Sequence, residues 1–198
     1  EYYRKNPSQE VTGIIHDKLS GYGIHDIDFV CGFDVGENKV GKLLHEAIYE
    51  YPNMVDWIAK DDLPKNEAMI YESPILDGVG IWVENKIKPI VSTKTTEQIA
   101  EEVKQVIKDK GVEIIVSYLP VGSDKVTEFW AQICLDTKTA FVNCIPSFIA
   151  SDEKWAKKFE DANVPCIGDD IKGQVGATIV HRTLAKLCSD RGTKIEKT

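Results

Sequence analysis

Val112-Glu113-Ile114-Ile115-Val116-Ser117-Tyr118-Leu119-Pro120-Val121-Gly122-Ser123 is an apolar run that stops abruptly in polar residues and a Pro–Gly turn. Helix signals stand on both sides of it. Upstream, residues 95–110 carry Ile99, Val103, Val106 and Ile107 on one face, with Glu101 and Glu102 early and Lys108 and Lys110 late, as the helix dipole prefers; Gly111 stops the run. Downstream, Ser123 or Asp124 is placed to cap a helix reaching about Asp136. An apolar run set between two such helices reads as a buried strand of a parallel sheet, because parallel neighbours need helical crossovers.

The same cadence extends in both directions. Residues 140–145 and 164–167 read as further strands, with a helix from Ser151 through Asp161 between them and another over about 173–189. Before the opening run, residues 27–34 form a mostly apolar stretch ending in an acid, and residues 39–50 place Val40, Leu43, Leu44, Ala47 and Ile48 at helical spacing. Residues 52–92 break the pattern: Pro64, Pro74 and Pro89 punctuate them, 76–80 reads as a turn-rich loop, and Met69-Ile70-Tyr71 reads as a short strand. That stretch is an insertion or a lengthened crossover. The fold expected is α/β, a Rossmann-like, doubly wound and mostly parallel sheet occupying residues 1–198 as one domain.

Composition narrows the function. The chain has 198 residues, of which 24 are Lys or Arg and 32 Asp or Glu; a net charge of -8 argues against a broad nucleic-acid surface. No apolar run is long enough to span a bilayer, and the first residues lack the apolar core of a signal peptide, so the cytoplasm is the expected location. The five cysteines are scattered, with no Cys-x-x-Cys, and read as reduced thiols used as small hydrophobes; no metal site is expected.

In parallel α/β sheets, ligands sit beyond the carboxyl ends of the strands. Four polar clusters fall there. Asp34 is either an acceptor for ribose hydroxyls or a turn aspartate; the Gly-rich turn that a dinucleotide site needs upstream is not found among Gly13, Gly21 and Gly23. The stretch from Ser117 to Ser123 either presents free amides to a phosphate or is a serine-capped turn. Asn143 either bonds a ligand or ties down its own loop. Gly168-Asp169-Asp170-Ile171-Lys172-Gly173-Gln174 is harder to explain structurally, because a lysine at a helix N-terminus runs against the dipole. His181 and Arg182 read as surface residues or as anion contacts.

Taken together, the stretches 116–123, 141–151 and 168–178 closely resemble myo-inositol-1-phosphate synthase of the archaeal and actinobacterial type; Phe33-Asp34-Val35 with Lys39-Val40-Gly41 resembles the family's second-strand motif, and Leu76-Asp77-Gly78-Val79-Gly80 its intervening loop, all in the right order. The resemblance implies an NAD-dependent isomerase that converts D-glucose 6-phosphate to 1L-myo-inositol 1-phosphate by oxidation at C5, enolisation, aldol closure of C6 onto C1 and re-reduction. It implies cofactor contacts at Asp34, Ser117, Tyr118, Leu119, Pro120, Asn143 and Pro146, catalytic roles for Asp169, Asp170 and Lys172, and substrate contacts at Lys172, Gln174 and Thr178. Gly173 departs from the serine usual in the family. The family's first strand with its Gly-rich turn, and its tetramerisation sheet, have no counterpart in these residues. The chain is therefore expected to be the central part of a longer polypeptide, a homotetramer when complete, with neither nucleic acid nor membrane as partner. Two other readings stay open: another NAD-linked dehydrogenase of the same fold, and a non-catalytic binding module that kept it.

Overall fold

A computed structural model of the protein describes residues 2–6, 8, 16–52, 64–80, 84–171, 173 and 175–197. It divides into two compact units, Glu1–Pro74 with Val79–Ile99 and Ile75–Gly78 with Ala100–Thr198. The first holds a short helix α1 (Tyr2–Lys5), an antiparallel pair β1 (Lys18–Leu19) and β2 (Tyr22–Gly23), and the parallel pair β3 (Cys31–Asp34) and β4 (Met69–Glu72). In that pair Cys31 stands opposite Met69 and Asp34 opposite Glu72, so both strands end in a carboxylate.

The expected strand over 27–34 pairs only from Cys31, and Ile27 and Phe29 ahead of it are exposed. The expected helix over 39–50 shrinks to α2 (Leu44–Ala47). Gly41 turns the chain with φ +85, and the backbone beside it bonds to the β4 segment instead of to itself: Gly41 donates to the Ile70 carbonyl at 2.8 Å, Ile70 to Lys42 at 2.9 Å and Leu44 to Ala68 at 2.7 Å. Periodic apolar spacing cannot reveal that choice, since a segment docked on a strand edge buries similar residues. The Met69-Ile70-Tyr71 run is the strand it was expected to be, and it lies parallel to β3.

The second unit is built on a three-stranded parallel sheet, ordered β5 (Ile114–Ser117), β6 (Ala140–Asn143), β7 (Cys166–Ile167). Helix α3 (Thr96–Lys110) precedes it, opened by reciprocal bonds between Thr95 and Gln98 and closed at Gly111, φ +62; Ile99, Val103 and Ile107 are buried, as their spacing predicts. Helix α4 (Asp124–Thr137) joins β5 to β6, and α5 (Glu153–Ala162) joins β6 to β7. The ring of Phe141 on β6 stacks on Phe159 of α5, with centroids 6.4 Å apart, in the core of the unit. Asp152, not Ser151, caps α5, accepting from the amides of Lys154 and Trp155. A π-helical turn (Val175–Val180) runs into α6 (His181–Asp190). All five cysteines are free; burial pushes the Cys134 thiol up, and Cys166 up to about 11. Among the described residues no helix is long and apolar enough to cross a membrane.

Candidate functional site

Because β5, β6 and β7 are parallel, their carboxyl ends share one edge. Ser117 stands opposite Asn143, and Gly168-Asp169 leaves the sheet beside them. The approach is close: a Cβ on Gly168 would lie 3.0 Å from the Asn143 carbonyl oxygen and from its Cβ, so only glycine passes there without displacing β6.

Asp169 organises this edge. Its carboxylate accepts from the backbone amides of Ile149 at 3.0 Å, Ala150 at 3.2 Å and Ser151 at 3.0 Å, and from Nδ2 of Asn143 at 2.8 Å. Asn143 is fully buried; its Nδ2 also donates to the Ser147 carbonyl at 2.6 Å, and its Oδ1 accepts from the amide of Ile145 at 3.4 Å. Of the two readings of Asn143, the structure displays the loop tie. Asp170 is different: its side chain is exposed, its backbone is left-handed at φ 58, and its amide donates to the Ile145 carbonyl at 3.0 Å. Ser117 lies beneath the edge, 5% exposed, with its hydroxyl buried and without a hydrogen-bond partner. A buried donor left unpaired costs free energy, so an orphan hydroxyl at a strand end fits a polar group supplied from outside the chain. The residues present therefore fit a dinucleotide here.

Around these, Tyr118 is 65% exposed; the buried Cys144 beside it, then burial, raise its phenol above the usual range. Pro120 and Pro146 are exposed and Leu119 is half-buried. Thr178 is half-buried, and His181 and Arg182 are exposed. Lys172 and Gln174 lie outside the described residues.

Neither reading of the 117–123 turn is met at the start of α4: the Lys125 and Val126 amides are already taken, and Ser123 makes no side-chain cap. Asp77, 48 residues upstream, accepts from the Lys125 amide at 3.0 Å and from the Val126 amide at 2.9 Å. Its carboxylate takes the place an anion would occupy. The Asp-Gly turn was visible in the sequence; its distant partner was not.

Asp34 belongs to the other unit, at the end of β3. Its Oδ1 accepts from the amides of Val35 at 2.7 Å and Gly36 at 2.8 Å, and its Oδ2 lies 3.9 Å from Nζ of Lys39. The turn role is thus real, and it uses only one of the two oxygens. In the sequence Lys39 stood out only as part of the family-like Lys39-Val40-Gly41 stretch, with no role attached to it. Ser73, directly after β4, carried no signal there; its buried hydroxyl also lacks a partner.

Parallel strands joined by helices, with their polar residues collected at the strand ends, make this a Rossmann-like α/β protein. No family model matches the sequence. Curated relatives do. The chain is 44% identical over its whole length to an inositol-3-phosphate synthase of Mycolicibacterium smegmatis and 43% identical to one of Corynebacterium glutamicum, covering 53% of each. The crystal structure of Ari2 matches 97% of the chain at a TM-score of 0.77 and 28% identity, over 55% of its own length. A myo-inositol-1-phosphate synthase-related protein from Thermotoga maritima matches 86% of the chain and 49% of its own at 0.67 and 23%, a likeness of fold alone. The family likeness is to the inositol-3-phosphate synthases and runs the whole length of the chain, which spans about half the length of the curated relatives it matches.

Proposed function

We propose that the complete polypeptide carrying this chain is an NAD-dependent inositol-1-phosphate synthase acting on D-glucose 6-phosphate, and that these residues supply part of its cofactor site and one segment of its active site. The observation that carries this reading is the shared strand edge at Ser117, Asn143 and Asp169, in a chain 44% identical to an inositol-3-phosphate synthase. NAD, when bound, supplies a hydride acceptor that returns the hydride later, so the reaction has no net redox change.

The chain's own residues have distinct tasks in this proposal. Asp34 accepts a ribose hydroxyl through Oδ2. The Ser117 hydroxyl donates to the cofactor, and Tyr118, Leu119, Pro120 and Pro146 shape the walls of its groove. Asn143 and Asp169 hold the 144–151 loop in place. Asp170 stands at the reacting end, with a free carboxylate for proton transfer. Lys172, with Gln174 and Thr178, holds the sugar phosphate, and its cation stabilises the oxyanion that forms as C6 is deprotonated. The complete enzyme is a cytoplasmic homotetramer.

Incubating the complete polypeptide with glucose 6-phosphate and NAD separates this reading from its nearest rival. A synthase forms inositol phosphate while NADH stays at a trace level; a dehydrogenase accumulates NADH in step with oxidised sugar and overturns the proposal.

A further inference from the structure

Asp34 and Lys39 form a pair whose geometry bears on which dinucleotide the site accepts. Oδ1 is committed to the turn, receiving the amides of Val35 and Gly36, and Gly36 is packed so closely that a Cβ there would lie 3.2 Å from that oxygen. Oδ2 is the oxygen left for a ligand, and Lys39 Nζ stands 3.9 Å from it. The turn fixes the lysine's starting point as well, because the amides of Lys39 and Val40 both donate to the Gly36 carbonyl at 3.0 Å. The Lys39 side chain is 20% exposed, so its cation is held at the strand end and not waving in solvent.

We infer that Lys39 is a latent 2′-phosphate-binding cation, silenced by Asp34, and that the two together set the preference for NAD over NADP. This rests on the reading of Asp34 as the ribose acid. An acid at this strand end accepts the 2′-hydroxyl of NAD, whereas sites for NADP offer a cation near the same point. Here both are present. A ribose hydroxyl bonded to Oδ2 lies within reach of the lysine. A phosphate esterified to that hydroxyl meets the Asp34 carboxylate at close range, and like charges there repel. Removing the carboxyl charge leaves Lys39 without its partner, facing the position the phosphate occupies, and a charge-assisted hydrogen bond becomes available.

Asp34→Asn is the informative variant, because an amide oxygen can still accept from Val35 and Gly36 and keep the turn. Calorimetric titration of the complete polypeptide with NAD and with NADP should show wild type preferring NAD. In Asp34→Asn the preference should shift toward NADP by roughly tenfold or more, and Lys39→Ala added to it should cancel the shift. Lys39→Ala alone should widen the wild-type preference for NAD, because it removes the cation and leaves the Asp34 carboxylate in place. If Asp34→Asn weakens NAD without any gain for NADP, or if the gain survives Lys39→Ala, the inference is wrong while the cofactor reading stands. If wild type binds neither dinucleotide, the cofactor reading itself fails and takes this inference with it.

Discussion

Replacing Asp169 by alanine removes one acceptor from three backbone amides and the Asn143 amide together, inside a loop where Ile149 and Asn143 are fully buried. Unpaired buried donors are costly and the losses here are coupled, so the variant should be destabilised by roughly 3 kcal/mol. A melting temperature lower by roughly 6–12 °C is the expected reading for a chain of this size. Asp170→Asn, which tolerates the same left-handed backbone, should melt close to wild type, because only the backbone of this residue is engaged in the fold; in the proposed enzyme it should lose turnover instead. Equal melting of the two variants would remove Asp169 from its structural role. The sequence marked both acids as worth attention but could not rank them. Their difference lies in what reaches them across 18 to 20 residues of chain, and adjacent identical letters do not encode that. Asn143 shows the same limit: its strand-end position was legible, the two acceptors of its side-chain amide were not.

Helix α4 begins on a borrowed cap. Asp77→Ala should free the Lys125 and Val126 amides and cost about 1 kcal/mol, seen as a melting point lower by roughly 2–4 °C. Ser123→Ala should do almost nothing, since that side chain makes no capping bond. Further along, Lys104 of α3 lies 2.8 Å from Asp136 near the end of α4. Burial works to raise the Asp136 carboxyl, but hydrogen bonds from Lys104 and Gln132 bring it below its ordinary value. A depressed carboxyl contributes stability above its unfolded pKa and loses it as pH falls through the folded one. Both side chains are about one-third exposed, so the pair is worth under about 1 kcal/mol. Acid titration of Lys104→Ala against wild type should show a gap at neutral pH that closes in acid. Elements α3, α4 and β5 to β7 were readable because each carries its own period and stop signal. Helix α2 was not, because its neighbours spend their amides on β4.

Among the described residues β5 is paired on one side only, and Ile114 and Val116 are 56% and 49% exposed. An apolar parallel strand with a bare edge is uncommon, since such strands are ordinarily covered on both faces. The isolated 198-residue chain should therefore bind a hydrophobic dye and aggregate readily, and should bind NAD only weakly; a monomeric, dye-silent chain with tight NAD binding would contradict this. Fold class was legible from the alternation of strand and helix alone. The proposed activity rests on family likeness alone, because a strand edge lined with Ser, Asn and Asp serves many chemistries. The central claim is that these residues belong to an enzyme that oxidises and re-reduces one sugar carbon without releasing the hydride. The most direct test supplies the complete polypeptide with glucose 6-phosphate deuterated at C5, with NAD far below the substrate concentration, and reads the product by mass spectrometry. The account predicts inositol phosphate that keeps the deuterium over many turnovers per NAD. Product without the label, or oxidised sugar limited to one equivalent of NAD, would contradict it.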